Sequence, residues 1–192
     1  LAHRIIPGMY ELLSGEVTIA QIRDVNLEDV LRRKPVRLNV EEISSYLQGS
    51  TVMVTGAGGS IGSEIVRQIV HFQPRRVILF GRGENSIFSI QQELNRLWPD
   101  IDHVEIIGDV RHATHLRTVF ERFRPDVVIH AAAHKHVPLM EDSPSEALYN
   151  NVLGTRTVVS LALEYGVKRF VNISTDKAVR PTSVMGSTKR LA

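Results

Sequence analysis

"TVMVTGAGGSIGSEIVRQIV", residues 51–70, joins a run of β-branched and apolar residues to a stretch with isoleucine at 61, 65 and 69, with Gly56, Gly58, Gly59 and Gly62 around the junction. The first run has the length and composition of a buried strand, and the isoleucine spacing follows one face of a helix. Gly56, Gly59 and Gly62 fall in the order T-G-x-x-G-x-x-G. Between a strand and a helix, such glycines permit a tight turn, let backbone approach a pyrophosphate and let the helix pack close to the strand. The helix then offers its free amides and positive dipole end to phosphate oxygens, with the Ser60 and Ser63 hydroxyls nearby. A glycine pattern alone is weak, and its place between strand and helix is what gives it meaning. The expected dinucleotide contacts here are Gly56, Gly59, Ser60, Ile61 and Gly62.

Outward from this turn, "TVMVT" (51–55), "RVILF" (76–80), "HVEII" (103–107), "DVVIHA" (126–131) and "RFVNIS" (169–174) read as five buried strands. Between them apolar residues recur at helical spacing: Ile61, Ile65 and Ile69; Ile87, Ile90, Leu94 and Leu97; Leu116, Val119, Phe120 and Phe123; Leu148, Val152, Val159 and Leu163. This alternation predicts an α/β fold, a doubly wound parallel sheet with helices on both faces. Right-handed crossovers give the Rossmann-like strand order 3-2-1-4-5, with ligands at the carboxyl ends of the strands. Residues 1–48 read as a partly helical N-terminal arm. Helix-like stretches stand at "MYELL" (9–13), "LEDVLRR" (27–33) and "EEISSYL" (41–47), and an alternating "PVRLNV" at 35–40. Residues 49–192 read as the dinucleotide-binding domain.

The 192 residues are 43% hydrophobic, enough for a sizeable core. With 23 basic and 21 acidic residues there is no basic block, so nucleic acid is not an expected partner. Cysteine is absent, which excludes disulfides and thiolate metal sites. No apolar run approaches the roughly 18 residues of a membrane span, and the chain reads as soluble.

At the end of the second strand a dinucleotide site usually carries an acid for the adenosine ribose. Here the stretch is "LFGRGEN", with Gly81 at that place and Arg82 after it. Arg82 favours a 2′-phosphate, and so NADP over NAD, although Glu84 could reach a ribose and Arg82 could be a plain surface charge. Asp109, followed by Val110, is either an acceptor for the adenine amino group or a helix N-cap. Ala131, Ala132 and Ala133 are small enough for backbone to approach the cofactor. His134, Lys135 and His136 could line a sugar or pyrophosphate. Two histidines two residues apart, without a third ligand, make a poor metal site, and no metal is expected. Asn151 either sits beside the nicotinamide or has a purely structural role.

The glycine spacing, "GDV" (108–110), "VIHAAAHKHVPLME" (128–141), "NNVLGT" (150–155) and "STDKAVRPTSVMGSTKR" (174–190) together resemble the extended short-chain dehydrogenase/reductase family. More narrowly, they resemble the bacterial nucleotide-sugar 4,6-dehydratases of polysaccharide and glycan biosynthesis, from about Ile22 onward. The resemblance implies bound NAD or NADP and a hexose on UDP as substrate, most often UDP-N-acetylglucosamine. It implies conversion to the UDP-4-keto-6-deoxy sugar, with or without inversion at C5. Ser174 and Lys189 join the implied cofactor contacts, and Asn150 those to substrate.

Many relatives carry Tyr-x-x-x-Lys, whose tyrosine takes the first proton; here that position is Met185, and a thioether has no proton to exchange. In the catalytic set Thr175, Asp176, Lys177, Met185 and Lys189, the expected roles are Asp176 as acid at the C6 oxygen and Lys177 as base at C5. Thr175 would orient or relay the C4 hydroxyl proton, and Lys189 would hold the nicotinamide ribose and keep the local field positive. A UDP-sugar C4 epimerase would call for tyrosine at 185, and a non-catalytic NAD(P)-sensing module would bind the dinucleotide without turnover. Long members have amino-terminal membrane helices and a further lobe over UDP. The chain is therefore expected to be a truncated, inactive piece of a homo-oligomeric parent anchored in the inner membrane, with this domain in the cytoplasm.

Overall fold

The computed structural model describes residues 4–5, 23–24 and 39–192. The readings at 9–13, 27–33 and 35–38 lie outside the described residues. A short antiparallel ribbon pairs β1 (Arg4–Ile5) with β2 (Arg23–Asp24). Residues Val40–Ala192 form a separate compact unit.

That unit is built on five parallel strands, β3 (Thr51–Thr55), β4 (Arg76–Gly81), β5 (His103–Ile107), β6 (Val127–His130) and β7 (Arg169–Asn172). Their order is β5-β4-β3-β6-β7, the expected 3-2-1-4-5. The order reverses at β3, so the crevice beyond its carboxyl end lies between β4 and β6.

Side chains alternate across the sheet and divide the core in two. Val52, Val54, Val77, Leu79, Val127 and Ile129 face one way, with residues of α1 (Val40–Leu47), α2 (Ser60–Val70) and α3 (Glu84–Leu97). Leu47 is buried there, with Ile43 and Tyr46 packed against the cluster, so α1 shares the sheet's core. Met53, Ile78, Phe80 and Val128 face the other way, against α4 (Ala113–Phe123) and α7 (Thr155–Glu164). Each large apolar side chain so buried contributes about 1.5–3 kcal/mol. Between β6 and α7 come α5 (Val137–Asp142), α6 (Pro144–Ala147) and a π-helical segment, Leu148–Gly154. After β7 come a 3-10 turn, Asp176–Ala178, and α8 (Val184–Leu191).

Three expectations are corrected. Edge strands β5 and β7 are only half-buried, because each has a neighbour on one side alone. Ile61 is 53% exposed at the first turn of α2, off the apolar face formed by Val66, Ile69 and Val70. The face read through Leu148, Val152, Val159 and Leu163 is not the buried one: Leu163 is 78% exposed, while Asn151, Thr155, Val158 and Ala162 turn inward. Buried hydrogen bonds account for the choice of face, since Asn151 is tied to His134 and Thr188, and Thr155 to His130.

Candidate active site

Gly56 leaves β3 with φ +71°, and a Cβ there would lie 2.8 Å from the Ala132 amide nitrogen. Gly62 sits so close beneath the turn that a Cβ would overlap the Gly56 carbonyl oxygen. Gly59 is the N-cap of α2 and supplies no side-chain acceptor, which leaves the first amides of the helix to a ligand. A cleft of about 190 Å³ opens between this turn and the ends of β4 and β6. Of the expected cofactor residues it gathers Gly56, Gly59, Arg82, Asp109, Val110 and Ala131 to Ala133, together with His134 and Asn150 from the expected substrate set. Gly81, Gly83, Ser86 and Gly108 also line it. Ser60 lies at its mouth, where the Lys135 ammonium reaches the hydroxyl at 3.0 Å. Glu84 is exposed at the start of α3 and does not line the cleft.

At the β4 end, Asp109 is buried and accepts hydrogen bonds from the Arg111 backbone and guanidinium at 2.8–3.1 Å. The Arg111 guanidinium holds the Asp109 carboxyl down at about 2 against the cost of burial, with Arg82 adding its charge from 3.7 Å. Asp109 is not the cap of α4; that position is His112. Arg111 also reaches Glu146 at 2.9 Å, and Glu146 lies 4.0 Å from the His134 ring. Burial and then the Arg82 charge lower the His134 pKa, so this ring is neutral near pH 7.

Beyond the cleft Asn151, Lys189 and His130 are buried and hydrogen-bonded. Asn151 accepts from the His134 N–H at 2.8 Å, and donates to the His134 carbonyl and the Thr188 hydroxyl, both at 3.0 Å. Lys189, also buried, donates to the Ile173 carbonyl at 2.7 Å, and burial lowers its pKa. His130, which nothing in the local sequence singles out, stands opposite Thr55 across the β3–β6 pair. Its two ring nitrogens meet the Thr55 hydroxyl at 2.6 Å and the Thr155 hydroxyl at 2.9 Å. Burial, helped by the Lys189 charge, pushes its pKa down to about 4. The available signal was two polar residues, Thr55 and His130, on the inward face of strands otherwise apolar there.

The 174–189 stretch follows β7 and does not line this cleft. Ser174 is exposed, directly before the turn. Thr175 donates to the Asp176 carboxylate at 2.9 Å, and the Lys177 ammonium reaches the same oxygen at 3.2 Å. The Thr175 hydroxyl and then Lys177 lower the Asp176 pKa, so this carboxyl rests ionised. Asp176 and Lys177 are open to solvent, with side chains 82% and 54% exposed. Met185, 3% exposed, is buried in a small apolar cluster with Met140 and Ala147, packed by Val137 and Val184. A Cβ on Gly186 would collide with the Lys177 carbonyl oxygen, which shows how tightly α8 backs the turn. His136 precedes α5 and is exposed. Among the described residues no three His, Asp or Glu side chains cluster as metal ligands, and no helix is long and apolar enough to cross a membrane.

A glycine turn at the switch point of a 3-2-1-4-5 parallel sheet defines a Rossmann-like domain. The family model for polysaccharide biosynthesis proteins matches residues 52–192, and the chain belongs to that family. It is 54% identical over 191 residues to the probable polysaccharide biosynthesis protein EpsC of Bacillus subtilis, covering 98% of this chain and 32% of EpsC. It is 34% identical over 142 residues to a UDP-N-acetylglucosamine 4,6-dehydratase (inverting) of Campylobacter jejuni, covering 73% of this chain and 41% of the dehydratase. Among solved structures, Pen from Bacillus thuringiensis superposes with a TM-score of 0.70 at 32% identity, over 76% of this chain and 45% of Pen. The chain thus spans about a third of EpsC and less than half of the other two.

Proposed function

We propose that this chain is the dinucleotide-binding part of a nucleotide-sugar 4,6-dehydratase that acts on UDP-N-acetylglucosamine. The observation that carries the reading is the Thr175–Asp176–Lys177 cluster at the carboxyl end of β7, on the ligand edge of the sheet, with buried Met185 in place of a tyrosine. The similarity to the Campylobacter dehydratase supports it.

The residues present fit a dinucleotide: the Gly56 turn leaves no room for a side chain, and the first amides of α2 lack a capping side chain. When bound, nicotinamide would supply the hydride acceptor for C4 and the hydride donor for C6, so the C4 carbonyl that makes the C5 proton acidic stays in the product. Gly56, Gly59, Ser60 and Gly62 would hold the pyrophosphate, Asp109 and Val110 the adenine, and Lys189 the ribose near the nicotinamide. Arg82 is the basis for preferring NADP. Lys135 and His134 face the sugar nucleotide from the cleft's β6 side.

The proton chemistry belongs to the exposed pair. A carboxylate and an ammonium become a carboxylic acid and an amine by passing one proton between them, with no change in total charge. The pair is exposed, and solvent favours the ionised form; a sugar covering it would favour the neutral form, because desolvation penalises charge. Neutral Lys177 then takes the C5 proton, and neutral Asp176 gives its proton to the departing C6 oxygen. Thr175 orients the C4 hydroxyl and relays its proton to solvent as the C4 hydride leaves. A C4 epimerase needs no acid at C6 and would leave this pair without a task. The test is proton NMR of UDP-N-acetylglucosamine with the intact protein in D2O. A new 6-methyl signal with deuterium at C5 is expected, whereas a change at C4 alone would establish the epimerase instead.

A further inference from the structure

The Thr55, His130 and Thr155 side chains form a buried hydrogen-bonded line across the sheet, and its direction can be read from donor capacity. Thr155 has one hydroxyl proton, and its oxygen lies 2.6 Å from the Asn151 carbonyl, which only accepts. Toward His130 Nε2, at 2.9 Å, Thr155 must therefore accept, so Nε2 carries the ring proton. A neutral ring then has its lone pair on Nδ1, which accepts the Thr55 hydroxyl proton at 2.6 Å. The Thr55 oxygen in turn lies 3.4 Å from the Ala132 N–H. The line ends on a carbonyl, so it cannot pass a proton onward.

We propose that His130 is a positioning residue of the candidate site, held as the Nε2–H tautomer so that it fixes the π-helical turn carrying Asn151. That turn is where the cleft and α8 meet. Asn151 clamps both backbone groups of His134 on one side and the Thr188 hydroxyl on the other, and Thr188 directly precedes Lys189. π-helical turns are rare single-turn insertions in α-helices, frequent at functional sites, and on this proposal this one moves by a residue when its tether is lost. The Thr155 hydroxyl, held between His130 Nε2 and the Asn151 carbonyl, is the tether that stops it. Moving the turn would withdraw Asn151 from His134 and Thr188 together. His130 is fully buried and acts only through other residues.

The positioning claim concerns the chain's own groups; only its effect on turnover rests on the function proposed above. The experiment uses the intact protein and the pair Thr155→Val, which keeps the shape and removes the hydroxyl, and Thr155→Ser, which keeps the hydroxyl. In 15N spectra of the histidine rings, His130 should show a protonated Nε2 and a bare Nδ1 between about pH 7 and 5. In Thr155→Val the His134 amide should exchange at least about tenfold faster while the Ala57 amide, bonded to Phe80, keeps its protection. Turnover should fall about tenfold in kcat with KM within about twofold, and Thr155→Ser should restore both. An Nδ1–H tautomer, or equal acceleration of the His134 and Ala57 amides, would overturn the proposal. So would a Thr155→Val protein with unchanged His134 exchange. If the tautomer and exchange results hold but the wild-type protein does not act on UDP-N-acetylglucosamine, the function proposal fails and the positioning role stands.

Discussion

The glycine turn after β3 and the Thr175–Lys177 turn after β7 lie along the same edge of one sheet, yet they are built in opposite ways. The first is fixed by backbone: Gly56 and Gly62 are packed where no Cβ fits, and the neighbouring strands β4 and β6 are buried on both faces. The second follows a half-buried edge strand and consists of charged side chains bonded mainly to one another, with Asp176 and Lys177 in solvent. Only the helix behind it is firm, through buried Met185, Thr188 and Lys189. A phosphate site can be complete before its ligand arrives, because amides and dipoles need no change of protonation. On the function proposed above, an acid–base pair that must become neutral would need to be open first and covered later.

The largest effect that would break this contrast is on the rigid side. Gly62→Ala puts a methyl group against the Gly56 carbonyl oxygen, and backbone on both sides cannot yield. We expect dinucleotide affinity to fall at least about 100-fold by calorimetric titration. Retained affinity would mean that the turn is not the pyrophosphate site.

The next effect concerns the buried line beneath it. His130 has a folded-state pKa of about 4, below that of an unfolded histidine. The folded protein therefore binds fewer protons, so the full stability from this group is present above about pH 6.5 and is lost as pH falls towards about 4. His134, also lowered, adds in the same direction. Urea unfolding should show a loss of about 2 kcal/mol between pH 7 and pH 5, ahead of the more acidic window of Asp109. A flat profile would mean that His130 is charged or accessible.

A smaller effect sharpens the adenosine end of the comparison. If Arg82 reads a 2′-phosphate, Arg82→Ala should weaken NADP by about 1.5 kcal/mol and leave NAD nearly unchanged. Arg82 also faces Asp109, so equal losses for both dinucleotides would show that it serves the carboxylate instead.

Legibility in the sequence followed the same division. The strands and their order could be read because β-branched runs alternated with helical spacing, and Gly56 to Gly62 fell at the junction where such a turn has meaning. The buried face of α7 was less legible, because it begins with the polar residues Asn151 and Thr155, whose partners His134, Thr188 and His130 are remote in sequence. His130 was not legible, because one histidine at a strand end looks like a boundary residue, while its partners stand 75 and 25 residues away. Thr175, Asp176 and Lys177 are adjacent in sequence, so they could be singled out directly, but their exposure and the ionised state of the Asp176 carboxyl came only from the fold. Burial of the Met185 thioether was equally unreadable, since its neighbours Met140 and Ala147 come from α5 and α6.

The most direct test compares turnover of UDP-N-acetylglucosamine by Asp176→Asn and Met185→Leu in the intact protein. If the exposed pair carries the proton chemistry and the thioether only packs, Asp176→Asn should lose roughly 100-fold or more in kcat and Met185→Leu only a few-fold. Near wild-type turnover by Asp176→Asn, with Met185→Leu inactive, would contradict the assignment.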